Sequence, residues 1–400
     1  MAQQATSANA NGPIWGGADN GADTTTSARR ALYLKLFSGE MFKGFQRNTI
    51  ARDLVTRRTL KNGKSLQFIY TGRTKAEFHV PGQSILGNDE KSPPVAEKTI
   101  TCDDLLISSA FVYELDETLA HYDLRGEISR KIGYALAENY DRRIFRAISK
   151  AARQPAPVNM SNFVEPGGSI VKVGAANSTD ATDAYDSTKL VQSFFEAAAI
   201  LDEKGISGEG RVAVLNPRQY YELIRNCATN NLINRDETGD ALQSGNGILD
   251  IAGIKIYKSM NIPFLGDYGV NLANLPSGAV SNINEAASKG SFIGEDMDDQ
   301  DASTTPNGQK TVNNYGTAAK FGGSCGLIFQ KEAAGVVEAI GPQVQVTSGD
   351  VSVVYQGDVI LGRLAMGADF LNPAAAVELV AGVDVSSNWN NTAVSNASFT

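Results

Sequence analysis

The sequence has little of what catalysis, metal binding or secretion calls for. It holds 2 histidines and 3 cysteines in 400 residues. Cys102, Cys227 and Cys325 lie far apart, are odd in number and form no CxxC or Cys/His cluster. Neither a disulfide framework nor a zinc site is expected, and the thiols read as reduced and buried. His79 and His121 have no HExxH partner or nearby cysteine, which removes the usual zinc-ligand and general-base arrangements. They read as a surface histidine in a hairpin and a histidine just before a helix. No apolar run approaches the length of a membrane span, and the amino-terminal MAQQATSANANGPIWGG lacks the basic start and apolar stretch of a signal peptide. The expectation is a chain kept in a reducing, aqueous compartment, with no membrane, no metal and no cofactor. Basic residues are also in the minority, 36 Lys and Arg against 44 Asp and Glu for a net charge of -8. That balance argues against a protein that grips nucleic acid by neutralising phosphates over a basic face.

What is present is ordinary globular material, 42% hydrophobic and 20% charged, enough for two or three packed domains. Residues 1–28 are Ala, Asn, Gly, Thr and Ser with little to bury, and read as a mobile arm. ALYLKLFSGEMFKGF then spaces Leu32, Leu36, Met41 and Phe45 near helical intervals, as a short anchoring segment. From Ser65 the pattern turns extended. SLQFIY places Leu66, Phe68 and Tyr70 on one side of a strand, and KTITCDDLLISSAFVYEL is a long return run. Between them lies the polar stretch 72–94, punctuated by glycine and by Pro93-Pro94, which blocks a helix. The whole reads as a long hairpin whose outer half is too polar to make its own core, so it must rest on something else.

A helix is expected over 123–152. Leu124, Ile128, Ile132, Leu136, Tyr140, Ile144 and Ile148 recur at every fourth residue, widened by Ala135, Ala147 and Ala151, and Glu138 and Arg142 are spaced for a surface ion pair. At 1.5 Å per residue such a helix runs roughly 45 Å, a structural beam. A second helix is expected in STKLVQSFFEAAAILDEKG, stopped at Gly205. A strand, a turn at Asn216-Pro217 and a helix follow in RVAVLNPRQYYELI, and strands with a turn at Ala252-Gly253 in GILDIAGIKIYKSMNIP. Residues 276–323 and the last 18 or so are low-complexity and polar. Alternating strands lie between, in CGLIFQKEAAGVVEAI, VSVVYQGDVILGRLAMGADF and AAAVELV.

Three motifs match by letters and fail on context. GGSCG, Gly322 to Gly326, matches a nucleophile elbow, but a strand-like LIFQ follows it and both histidines precede Ser324. NGKS at Asn62 to Ser65 resembles the tail of a phosphate loop, but Arg58 stands where the earlier glycine belongs. Asp296, Asp298, Asp299 and Asp301 lack the glycine and the twelfth-position glutamate of a calcium loop. A loop-to-strand turn, a hairpin-entry turn and a solvated loop explain the three better.

GRTKAEFHVPG, HYDLRGEIS, NPRQYYELI, GLIFQKEAAGVVE and AMGADFLNPAAAVEL, in that order over about 30–380, resemble the major capsid proteins of short-tailed phages, the podovirus group Autographiviridae that includes marine cyanophages. The resemblance implies an α+β, HK97-like fold. Its parts would be an N-terminal arm at 1–55, an extended E-loop at 56–110, and a peripheral domain at 111–204 and 336–366 around a spine helix at 123–152. An axial domain would occupy 205–335 and 367–380, with a polar insert at 276–323, and a polar tail 381–400. It implies a non-enzymatic protein of the virion, made and assembled in the bacterial cytoplasm. Its partners would be itself in hexamers and pentamers, a scaffolding protein, a portal protein, and packaged double-stranded DNA bound without sequence specificity. An encapsulin-like bacterial compartment shell shares the fold and is the alternative; a soluble hydrolase built on Ser324 is a third reading. In the hairpin, Arg73, Lys75, Glu77 and Pro81 are the candidate intersubunit contacts, the charged three being salt-sensitive.

Deleting residues 74–92 is expected to leave a folded subunit that forms no shells. Circular dichroism and electron microscopy of the deletion check both halves of that outcome.

Overall fold

A computed structural model describes residues 50–72, 74, 76, 78–82, 84, 93, 95–113, 124–155, 159–160, 163–164, 166–175, 180–226, 250–262, 312–313, 315, 323–346 and 356–381. The expected arm and anchoring segment, most of the 276–323 stretch, the polar tail, His121, Cys227 and the aspartates at 296–301 lie outside them. The described residues fall in two compact units. One comprises Leu105–Tyr140 and Ile340–Met366; the other comprises the described parts of Ile50–Asp104, Asp141–Ala339 and Gly367–Thr400.

In the larger unit, β1 (Thr56–Thr59) is followed by β2 (Ser65–Thr71) and β3 (Val95–Thr101), which pair antiparallel from Ser65 opposite Thr101 to Thr71 opposite Val95. The return run expected as one strand is broken at Cys102–Leu105. The chain resumes as β4 (Leu106–Tyr113) in the smaller unit, where it pairs antiparallel with a later strand. The break has a physical cause: Asp103 is buried and saturated with hydrogen bonds, as described below.

Helix α1 spans Leu124–Ala152, within one residue of the expected bounds, and contributes residues to both units. Ile132, Leu136, Tyr140, Ile144 and Ile148 of the expected stripe are buried. The expected surface pair is corrected at one end, because Arg142 is buried. From Asn139 to Ala152 every residue is buried, so this half of the helix is enclosed all round despite carrying Asp141, Arg142, Arg143, Arg146 and Lys150. After two short strands, β5 (Asn159–Met160) and β6 (Phe163–Val164), the chain enters the main sheet.

That sheet has six strands in the order β7-β14-β11-β8-β10-β9: β7 (Ser169–Lys172), β8 (Arg211–Leu215), β9 (Asp250–Ile251), β10 (Ile254–Lys258), β11 (Ser324–Gln330) and β14 (Ala376–Val380). β8 and β14 are buried along their whole length and β11 at all but its last residue, which accounts for the near-continuous apolar runs in their sequences. Helices α2 (Ser187–Glu203) and α3 (Pro217–Asn226) cover one face. Asp186 caps α2 by accepting from Thr188 N at 2.9 Å. Leu190, Phe194 and Leu201 of α2 pack with Ala213, Leu215, Ile328, Val377 and Leu379 in one core, where each fully buried large side chain contributes about 1.5–3 kcal/mol. The division expected at 204 and 205 falls inside this core, since β7 and α2 pack with β8, β11 and β14.

Side chains alternate across a strand, so Glu378 points to the face opposite Val377 and Leu379. There Arg153, one residue beyond α1, donates to it from Nε at 2.5 Å and Nη2 at 2.6 Å, and both side chains are buried. Ser324 Oγ donates to the same carboxylate at 2.6 Å. The remaining strands, β12 (Ala334–Val346) and β13 (Gly357–Phe370), each contribute to both units. In the larger unit β12 runs parallel to β1, from Gly335 opposite Thr56 to Glu338 opposite Thr59. In the smaller unit β13 pairs with β4, and at Gly362 an added Cβ would stand 2.4 Å from Ile132 Cγ2 and 2.8 Å from Leu136 Cδ1. The absence of a side chain there is what lets α1 lie on the strand.

Breaking the buried pair by Glu378→Ala is expected to cost about 3–5 kcal/mol, because it removes a carboxylate from a buried guanidinium. Ser324→Ala is expected to cost only about 1 kcal/mol, since Arg153 keeps its partner. Urea denaturation of the two variants checks the ranking.

Candidate assembly surface

The β2-β3 hairpin has two unlike faces. Leu66, Phe68 and Tyr70 share one side, as the alternation predicts. Phe68 and Ile100 are buried against Val337, with Leu60, Leu66 and Leu371 at the margin. On the other side Gln67, Ile69 and Thr71 and their opposite numbers Thr99, Glu97 and Val95 are all exposed. Ile69 is 76% exposed and Val95 63%. Beyond the paired strands every described residue from 74 to 84 is exposed, Phe78 completely. Among its described residues the outer half of the hairpin therefore has no core of its own, in keeping with its polar sequence.

The sequence singled out four residues here. Pro81 is an exposed turn residue, followed by Gly82 at φ +88°. Arg73, Lys75 and Glu77 lie outside the described residues. His79 is exposed, with neither carboxylate nor cysteine ligands grouped around it: among the described residues no cluster of three metal-ligating side chains forms. The residues that sequence reasoning missed are the apolar ones, Ile69, Phe78, Val80 and Val95. The available signal was an apolar pair, Phe78 and Val80, set two apart in an otherwise polar loop. An exposed apolar patch of this kind marks an interaction surface.

The root of the hairpin is fastened by charge. Asp103, two residues beyond β3, receives Arg143 Nη1 of α1 at 3.3 Å, Tyr315 Oη at 2.7 Å, Val312 N at 3.0 Å, and Asn313 N and Nδ2 at 3.2 and 3.0 Å. Burial pushes this carboxyl up, and Arg143 offsets only part of that rise. Asn313 Nδ2 also donates to Thr101 O at 2.8 Å, and Tyr315 Oη accepts from Ala368 N at 3.0 Å. Gly367 permits the close approach, since a Cβ there would lie 2.0 Å from Thr101 O. A second fastening joins Lys98 of β3 to Asp369 at 2.7 Å and Asp369 to Lys150 of α1 at 3.1 Å, with Lys98 Nζ 3.7 Å from the Phe370 ring centroid. Nearby, Arg58 lies over Phe68 at 4.8 Å, and Arg52 and Arg57 meet Glu338 at 3.2 and 3.6 Å.

None of this is catalytic geometry. Ser324, the candidate nucleophile, is the buried first residue of β11, its hydroxyl committed to Glu378, with a strand and not a helix after it. Burial pushes the Cys325 thiol far up, away from reactivity. Cys102 and Cys325 are free and buried, as expected.

Comparison with known proteins follows the same direction. A family described as Gp10A-like, major capsid protein, matches residues 67–380. The major capsid protein of Escherichia phage T7 is 29% identical over 195 residues, 48% of this chain and 56% of the relative. The chain thus spans about half the length of the curated relative it matches. The capsid structure of the cyanophage P-SCSP1u superposes with a TM-score of 0.64 at 30% identity, covering 90% of this chain and 96% of that one. The mature capsid of bacteriophage PhiM1 superposes at 0.56 with 15% identity, covering 86% and 91%, a likeness of fold.

A further buried acid lies on α1. Asp141 accepts from Ile50 N at 2.9 Å. Burial drives its carboxyl up to about 7, opposed by the Ile50 and Ala51 N–H groups and the Asn261 side chain. The folded chain then holds the proton more tightly than the unfolded chain. The resulting stability is fully present below the unfolded value near 3.8 and is lost as pH rises through about 7. The loss is expected to be on the order of 4 kcal/mol. Denaturation of unassembled subunit at pH 4 and pH 8 is expected to show this slope in the native chain and to lack it in Asp141→Asn.

Proposed function

The chain belongs to the Gp10A-like major capsid protein family, a structural and not an enzymatic family with the HK97-like fold, and from that premise we propose how it works. It self-assembles as hexamers and pentamers into the icosahedral shell of a phage that encloses double-stranded DNA. The observation that carries the reading is the hairpin: a rigidly rooted projection with exposed Ile69, Phe78, Val80 and Val95 and no core of its own. A neighbouring subunit supplies the missing burial, and repetition of that head-to-tail contact closes rings. The compartment-shell alternative loses ground, because the matching family is of phage capsids.

The parts take the roles that the resemblance implies. Residues 1–55 form the N-terminal arm and 56–110 the E-loop. Residues 111–204 and 336–366 form the peripheral domain around α1, 205–335 and 367–380 the axial domain, and 276–323 and 381–400 add polar surface. Since β7 and α2 share the core of the six-stranded sheet, the axial domain is better drawn to include them. Arg73, Lys75, Glu77 and Pro81 contact the neighbour alongside the apolar residues. Assembly proceeds in the host cytoplasm with a scaffolding protein and a portal. A net charge of -8 suits a container that holds DNA without gripping it.

Phe78→Asp and Ile69→Asp are expected to leave subunit stability within about 0.5 kcal/mol, as for ordinary surface changes, while shell yield collapses. Electron micrographs of the expressed full chain supply the test. Normal DNA-filled or empty shells from the double variant would overturn the clasp, and a native chain that forms no particles at all would overturn the capsid reading.

A further inference from the structure

The two charge fastenings at the hairpin root do more than attach it. Arg143 and Lys150 are seven residues apart on α1, about two turns or ~10.5 Å along the axis. Arg143 reaches the hairpin through Asp103, and Lys150 reaches it through Asp369 and Lys98. One attachment leaves a pivot, whereas two separated attachments along an axis define a direction. Both bridging carboxylates are buried, Asp103 at 5% and Asp369 at 7% exposure, where ion pairs are little screened and the side chains around them are close-packed. The 312–315 segment tightens the first fastening, because Asn313 holds both Asp103 and the last carbonyl of β3.

We propose that Asp103 and Asp369 are positioning residues for assembly: together they hold the hairpin at one angle on α1, and that angle sets how the next subunit is presented. The idea rests on the capsid reading for its consequence but not for its geometry. A hairpin fastened at one point still folds and still exposes its apolar residues. It presents them over a range of directions, so neighbours join at several angles and closure into one shell form is lost. Lys98, whose side chain is 29% exposed, and Asn313, which is only partly buried, can be cut back without opening a core. They serve as the points of attack in place of the buried aspartates.

The test uses the full chain as Lys98→Ala, Asn313→Ala and the double variant, with Tyr315→Phe as a further change that removes a single hydroxyl. In unassembled subunits, spin labels at Phe78→Cys and Ala199→Cys, in a Cys227→Ser background, report the distance between hairpin tip and α2. A distribution at least twofold broader in the double variant than in the native background is expected, with intermediate widths in the single variants. An unchanged distribution in the double variant overturns the proposal. In assembly, the native chain is expected to give uniform particles and the double variant tubes, sheets or mixed diameters. Uniform shells from the double variant overturn the proposal. So does equal polymorphism from Leu190→Ala, a change in the core of the six-stranded sheet, a cluster separate from the one at the hairpin root, that lowers stability. If the native chain forms no particles, the capsid reading fails while the distance measurement still decides the fastening.

Discussion

The half of α1 that is enclosed on every side while carrying several basic residues sets the terms for the larger unit. Buried guanidinium and ammonium groups are tolerated only where anions and hydrogen bonds meet them. Carboxylates therefore converge on the second half of α1 and the residue after it from distant parts of the chain: Asp103 on Arg143, Asp369 on Lys150, Glu378 on Arg153. Each comes from a different place, the loop after β3, the end of β13 and the middle of β14. The sheet, the hairpin root and the segment around Asn313 are thus held to one element by the same electrostatic demand.

The arrangement separates rigidity from stickiness. At its root the hairpin is locked by Phe68 and Ile100 in a small apolar cluster and by ion pairs on both flanks. At its tip every described residue is exposed, including a fully exposed phenylalanine. A two-stranded ribbon of this kind is marginal by itself, so the rigid base is what holds its paired strands in place. A shell subunit requires both properties. It must be soluble long enough to meet its neighbours, and it must bury apolar area only when they arrive.

Much of the fold was legible in the chain. The α1 bounds followed from an apolar residue every fourth position, the α2 stop from Gly205, and the β9-β10 turn from Ala252-Gly253, because these signals are local. The hairpin strands were equally plain from alternation. What failed to show was the break at Cys102–Leu105, since the extended pattern resumes at once in LISSAFVY. Arg142 likewise reads as solvent-facing by spacing alone, yet it is buried. The signal that could have warned of it was the crowding of Arg142, Arg143, Arg146, Lys150 and Arg153 at the end of a helix, in a chain where acids outnumber bases. In the hairpin loop the pattern of charges pointed to Arg73, Lys75 and Glu77, whereas the exposed apolar side chains are Phe78 and Val80.

By itself the sequence determined the elements, the failure of its three letter-matching motifs on context, and a hairpin whose outer half is too polar to make its own core, because periodicity and composition act over a few residues at a time. Only the tertiary structure decided which carboxylate meets which base. It also decided that β4 leaves the hairpin for another sheet, and that Ser324 serves a buried ion pair. Those pairings join residues 40 and 225 positions apart. Nothing in local pattern specifies them, since an aspartate bound for a buried arginine looks, in one dimension, like any aspartate at the surface.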